Sequence, residues 1–295
     1  MPRRTDMRPS TFLLAALSSF ALFGMRGAGV EIARNYTKGE KIAYTTKIVM
    51  VDKEETPEGP DESKTTYKGT RTLEVKESDD KGVQIEDVAV MTDLESSDPD
   101  DKLTDEDKTP SRYLVTTDKL HTKLEKKDLD AVDPSKMDPD DVAYEVLDEL
   151  HYAGLDPDFD IFTRMPDAAV EKGATWDVVI PKSIYRYSED QKLQATFDGT
   201  EDRDGKTFNV VKIKGTIKVE PDFDEVAKKL GDKGREWVDS FKAAGTIEIE
   251  TKVLLDQKSG ALETASVRHL MVMKSTGTTQ FRYESTYLYE LTRKD

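Results

Sequence analysis

The chain carries three histidines, no cysteine, and 60 aspartates and glutamates against 44 lysines and arginines. That inventory bounds its chemistry. His121 sits in the charged run KLHTKLEKK, His151 closes a predicted helix, and His269 lies mid-strand on the face that carries Val267, Met271 and Met273. None of them stands at metal-ligand spacing from another, and no thiol is available to complete a zinc site. A histidine among apolar strand neighbours reads as a satisfied core residue before it reads as a general base. No G-x-S-x-G elbow, H-E-x-x-H helix, phosphate-cradling glycine loop or dinucleotide fingerprint occurs. A pair of catalytic carboxylates could still stand among so many acids, so a carboxylate-based hydrolase of the cell envelope remains the enzymatic alternative. Asp156, Asp158 and Asp160 alternate as at the start of a calcium-binding loop. Ile161 then takes the position that needs glycine, and Asp167 the twelfth position where glutamate is expected. These aspartates are the weak metal candidates, and an acidic calcium-binding surface protein is the second alternative. No residue is assigned a catalytic or cofactor-binding role, and no cofactor is expected.

The elements that would position any site are strands. In KIAYTTKIVMV, Ile42, Tyr44, Thr46, Ile48 and Met50 share one face. In TIEIETKVLLD, Ile247, Ile249, Thr251, Val253 and Leu255 do so, with Glu248, Glu250 and Lys252 opposite. In TQFRYESTYLYELT the apolar side reads Phe281, Tyr283, Ser285, Tyr287, Tyr289 and Leu291. Strands with one greasy and one charged face belong to antiparallel sheets. The runs DRDGK (202–206), DQKSGAL (256–262) and ESDDKGV (77–83) supply hairpin turns. Two stretches read as helix instead. One is 138–153, with Asp138 as N-cap, Pro139 in the first turn and Gly154 after the end. The other is an insert over 222–244, with Phe223, Val226, Ala227, Leu230, Trp237, Val238 and Phe241 at helical spacing, which Gly231 and Gly234 divide. Residues 93–110 are acidic and poor in apolar side chains, which predicts a loop.

The expected fold class is mainly β (α+β): long antiparallel meander sheets curved into two half-barrel-like units, each packed by a helix. The N-terminal unit spans 30–165 and the C-terminal unit 166–295. Both open with Lys-Gly and a long strand, at Lys38 and again at Lys172, which suggests a tandem duplication or a single large sheet. If helix and sheet leave a hole, its lining would be Trp237, Phe241, Ile247, Ile249, Met271, Met273, Phe281, Tyr283 and Tyr287. A filled core is the simpler use of the same residues.

Four segments carry a resemblance: YTKGEKIAYTTKI, MPDAAVEKGATWDVVI, ATFDGTEDRDGKTFNVVKIKGTI and IEIETKVLLDQKSGALETASVRH. They look like a planctomycete type of bacterial exported protein of unknown function. The architecture is similar to the half-barrels of the periplasmic lipoprotein carriers LolA and LolB, whose curved sheet is plugged by helices. The resemblance implies an apolar cavity and a hydrophobic small molecule or lipid as partner. The doubled length and the acidic insertion depart from that pattern, so it implies a fold and not a carrier's activity.

The N-terminus reads as an address. Arg3, Arg4 and Arg8 precede the uncharged apolar stretch Thr11–Gly24, and small residues at Gly27, Ala28 and Gly29 follow. This predicts a signal peptide over 1–29, cleaved near Gly29, and no membrane-spanning segment in the mature chain. Export to the periplasm or beyond follows, and without a cysteine the protein is not a lipoprotein. The net charge of −16 argues against nucleic acid and anionic membranes as partners. The resulting expectation is an exported, non-enzymatic envelope protein that shelters a hydrophobic ligand.

Overall fold

The computed structural model describes residues 29–32, 36–79, 82–99, 102–103, 111–116, 121–123, 165–166, 168–180, 182, 188–225, 227–228, 235, 238–239 and 242–294. The predicted helix 138–153 and the aspartates Asp156, Asp158 and Asp160 lie outside them. So do His151, Trp237 and Phe241.

Among the described residues, alternating apolar and polar side chains have formed eleven strands: β1 (Lys41–Thr56), β2 (Gly59–Asp79), β3 (Gly82–Ser96), β4 (Ser111–Thr116), β5 (His121–Lys123), β6 (Thr175–Ile180), β7 (Gln191–Arg203), β8 (Lys206–Val219), β9 (Ala243–Asp256), β10 (Leu262–Ser275) and β11 (Arg282–Arg293). All belong to one open antiparallel sheet in the order β5-β4-β3-β2-β1-β11-β10-β9-β8-β7-β6. The chain starts inside the sheet, walks outward to β5, re-enters at the opposite edge as β6 and walks back. β11 then pairs with β1, from Tyr44 opposite Arg293 to Glu55 opposite Arg282. The two halves therefore share one continuous sheet, joined along that seam. Helical backbone is described at 223–225, 227–228, 235 and 238–239, all within the expected insert.

The turns follow from their residues. Asp204 and Gly205 both take positive φ, 50° and 76°, as a two-residue hairpin of β7 and β8 requires. In the β9–β10 turn, Asp256 Oδ1 accepts from the Lys258 and Ser259 amides at 3.1 and 2.8 Å. One expectation is corrected. Asp93–Ser96 is the end of strand β3 and not loop. Lys68 of β2 reaches across to both Asp93 and Glu95, at 3.3 and 2.6 Å, so the acids that suggested a loop are held by a cross-strand cation.

The repeated Lys-Gly opening has a repeated geometry. Gly39 and Gly173 take φ of 83° and 87°. The Glu40 amide donates to Thr37 O and the Ala174 amide to Glu171 O, each at 2.9 Å. Gly39 N donates to Val75 O at 2.8 Å, and Gly173 N to Phe197 O at 2.7 Å. Val75 of β2 thus corresponds to Phe197 of β7. Immediately beyond each lies a register shift, between Val75 and Glu77 and between Phe197 and Gly199. The residues in those bulges are Lys76 and Asp198. Lys76 pairs with Glu86 at 2.9 Å, and Asp198 with Lys212 at 2.6 Å. Glu86 and Lys212 occupy matching positions, so the halves hold the same ion pair with its charges exchanged.

One face of the sheet, here the inner face, is buried. Its core joins Ile42 and Tyr44 of β1 to Val178, Leu193, Phe197, Ile213, Ile249, Val267 and Leu291 of the later strands. The outer face alternates Lys, Glu and Asp in exposed pairs such as Lys214–Glu250 at 2.9 Å. A smaller cluster of Phe208, Val210 and Leu254 is buried on the outer face. The segment before β1 adds Ile32 to the core and pairs Val30 with Val170 ahead of β6.

Candidate ligand-binding face

The strands beside the seam bring together the expected lining residues that are described; Trp237 and Phe241 are not among them. β11 carries Tyr283, Tyr287 and Tyr289 on the inner face. β10 sets Met273 opposite Tyr283, His269 opposite Tyr287 and Val267 opposite Tyr289. β9 sets Ile249 opposite His269 and Ile247 opposite Met271. On the other side β1 places Ile48 opposite Tyr289 and Met50 opposite Tyr287. The predicted set divides by burial. Ile247, Ile249, Met271 and Met273 are buried and belong to the core. Phe281, Tyr283 and Tyr287 are half-buried against it, as is Ile48. Met50 and Tyr67 are half-buried beside them. In this strip apolar side chains of the inner face meet solvent, as Leu73 and Trp176 also do elsewhere on that face.

A polar network crosses the same seam. Arg71 of β2 grips Asp87 of β3 with two bonds, Nε to Oδ1 at 2.9 Å and Nη2 to Oδ2 at 2.7 Å. Arg71 Nη1 also donates to Tyr289 Oη at 3.3 Å, reaching past β1 to β11. Arg71 and Asp87 are only 7% and 6% exposed, so the pair is desolvated and its bidentate geometry is what makes it tolerable. Tyr283 Oη donates to Asp52 Oδ1 of β1 at 2.7 Å. Burial, and then that bond to Asp52, pushes the Tyr283 hydroxyl well above the usual tyrosine range. Tyr44 Oη donates to Leu262 O at 3.3 Å.

His269 is buried as a core histidine. Its ring stacks on Tyr287, with centroids 5.6 Å apart and planes inclined by 24°. Tyr287 in turn stacks on Tyr289 at 6.4 Å. Burial alone pushes the imidazole down to about 4, so it is neutral at pH 7. Among the described residues, His269 Nε2 and Thr251 Oγ1 have no hydrogen-bond partner. The inner-facing oxygens Ser285 Oγ, diagonal to His269 on β11, and Thr46 Oγ1 and Asn209 Oδ1 elsewhere on the sheet share that condition.

Arg71, Asp87, Asp52 and Tyr67 were not among the expected site residues. A signal for them exists: Arg71 shares its strand face with Leu73 and Val75, and Asp87 shares its face with Ile85, so both break the apolar side of the alternation. Among the described residues no group of three histidines, aspartates or glutamates could hold a metal ion. No helix among them is long and apolar enough to cross a membrane, which leaves strands unaddressed.

No family model matches this chain, and no curated protein matches it. Among solved structures it is similar to one described as lipid–protein interactions in lipovitellin, with 9% identity and a TM-score of 0.42 over 88% of this chain. The chain spans about a quarter of that protein, 26% of its length. It is also similar to a DUF1329 family protein from Desulfovibrio piger, at 9% identity and a TM-score of 0.14 over 84% of this chain and 83% of that one. A third is an outer membrane lipoprotein-sorting protein domain from Vibrio parahaemolyticus, at 9% identity and a TM-score of 0.15 over 85% of this chain and 83% of that one. Likenesses this distant carry no argument about what the chain does.

Proposed function

We propose that this chain is an exported, non-enzymatic protein of the cell envelope that binds a hydrophobic small molecule or lipid on the inner face of its sheet. What supports the reading is the half-buried strip of Ile48, Met50, Tyr67, Phe281, Tyr283 and Tyr287, continuous with the core at the seam of the two halves. A contiguous apolar surface rimmed by polar groups is where an apolar ligand gains most by leaving water. In this reading residues 1–29 are removed on export, and the mature chain works in the periplasm or outside the cell. The carboxylates of the inner face suit structure better than hydrolysis, because Asp87 is tied bidentately to Arg71 and Asp52 accepts from Tyr283. The test is native mass spectrometry of the purified protein together with titration of an environment-sensitive apolar dye. Copurified lipid or saturable dye fluorescence is expected. A clean protein mass with no dye response sinks the proposal.

A further inference from the structure

Buried side-chain nitrogens and oxygens are almost always hydrogen-bonded, so each exception calls for a physical explanation. His269 Nε2 and Thr251 Oγ1 are two of five such atoms among the described residues, on side chains 6% and 3% exposed. They lie on adjacent strands of the inner face. His269 is opposite Ile249 and Thr251 is opposite Val267, so the two are diagonal neighbours. Diagonal pairs of this kind stand about 7–8 Å apart at the backbone, near enough for one small polar group to lie between long side chains. The His269 ring also stacks on Tyr287, which belongs to the half-buried strip. An unpaired polar edge therefore stands where the apolar strip runs into the core.

Resting on the ligand-binding reading above, we propose that the inner face takes a neutral apolar molecule carrying a hydroxyl, and that His269 Nε2 and Thr251 Oγ1 hydrogen-bond that hydroxyl. The chemistry selects this class. A neutral imidazole donates or accepts at Nε2 according to tautomer, and a threonine hydroxyl does both. A ligand hydroxyl also does both, so it satisfies either arrangement. A carboxylate only accepts, and it would lose its hydration beside Ile249, Met271 and Tyr287 with no cation opposite or diagonal to His269 on the flanking strands to replace it. The chain's net charge of −16 further disfavours an anion. A plain hydrocarbon would leave both protein atoms unsatisfied.

The probes are 1-decanol, undecane and decanoate, each titrated at pH 7 against dye bound to the full chain. In wild type, decanol and undecane displace the dye, and decanoate does so less well than decanol. Decanol, but not undecane, shifts the Nε2 resonance of His269 in nitrogen-15 NMR. In His269→Phe, which keeps a flat ring against Tyr287, decanol affinity falls about tenfold, the equivalent of one net hydrogen bond, while undecane affinity holds. Undiminished decanol affinity in a folded His269→Phe, tighter binding of decanoate than of decanol, or an unmoved resonance at saturating decanol each overturns the proposal. The resonance decides the matter even if the variant fails to fold. If no probe displaces the dye from wild type, or the dye itself does not bind, the parent reading has failed instead.

Discussion

A single imidazole gives the inner face a pH dependence whose sign is fixed by burial. His269 has Ile249 and Tyr287 directly opposite it, and Thr251 diagonally, so no charge on the adjoining strands faces it there. Its folded pKa is pushed down to about 4. In the unfolded chain it returns to roughly 6.5. Between those values the unfolded state binds the extra proton, so stability is full above pH 6.5 and is lost as the pH falls toward 4. The loss amounts to on the order of 3 kcal/mol across that window. Urea unfolding followed from pH 7 to pH 4 checks this. Wild type should weaken more steeply than His269→Phe by about that amount, and parallel pH profiles for the two proteins would refute it.

At the scale of the strand, the matched turns and bulges of the two halves allow a buried ion pair to be compared with its apolar counterpart. Val75 corresponds to Phe197, and Ile85, opposite Val75, corresponds to Val211, opposite Phe197. Counting along the strands, Arg71 takes the place of Leu193, and Asp87 the place of Ile213. Both members of the apolar pair are buried. Removing one charge strands the other in a dry site, so Arg71→Leu alone should cost about 3–5 kcal/mol. The double variant Arg71→Leu/Asp87→Ile copies the second half and should unfold at or above the wild-type urea midpoint. A double variant as weak as the single one would show that the two sites do not share a packing environment. The strands and tight turns were legible in the sequence because period-2 alternation and Asp-Gly pairs act locally, as at Arg203–Lys206. The burial of Ile247, Ile249, Met271 and Met273 was legible for the same reason. The β1–β11 seam was not, since alternation fixes a strand's face and says nothing of its neighbour. The end of β3 was missed because its stability comes from Lys68 on another strand. Arg71 and Asp87 were visible as interruptions of an apolar face, but their partnership depends on register.

Among its described residues the sheet is lopsided in what it buries, and that asymmetry predicts how it comes apart. Among the described residues the main core holds 26 buried side chains, and Ile32, Ile42, Tyr44 and Met165 are those from 30–165. The described residues of that half otherwise bury little apolar area beyond Val75 and the small group around Ile85. Burial of apolar surface is the dominant favourable term in folding, and it must outweigh the loss of chain entropy. Expressed separately, 166–295 should therefore fold with β6–β11 largely intact, and 30–165 should not. The cost to the C-terminal piece is one exposed edge, β11, whose inner face loses Ile48 and Met50 as neighbours. Its tyrosines Tyr283 and Tyr287 would then lie open on one side, so this piece should also bind apolar dye more strongly than the full chain does. Mixing the pieces should restore the β1–β11 ladder and lower that dye signal. Amide hydrogen exchange provides the test: β8–β10 should exchange slowly in the full chain and equally slowly in the isolated C-terminal piece. If 30–165 instead proved as protected alone as 166–295, the core would not govern the stability of the sheet, and the seam would join two self-sufficient domains.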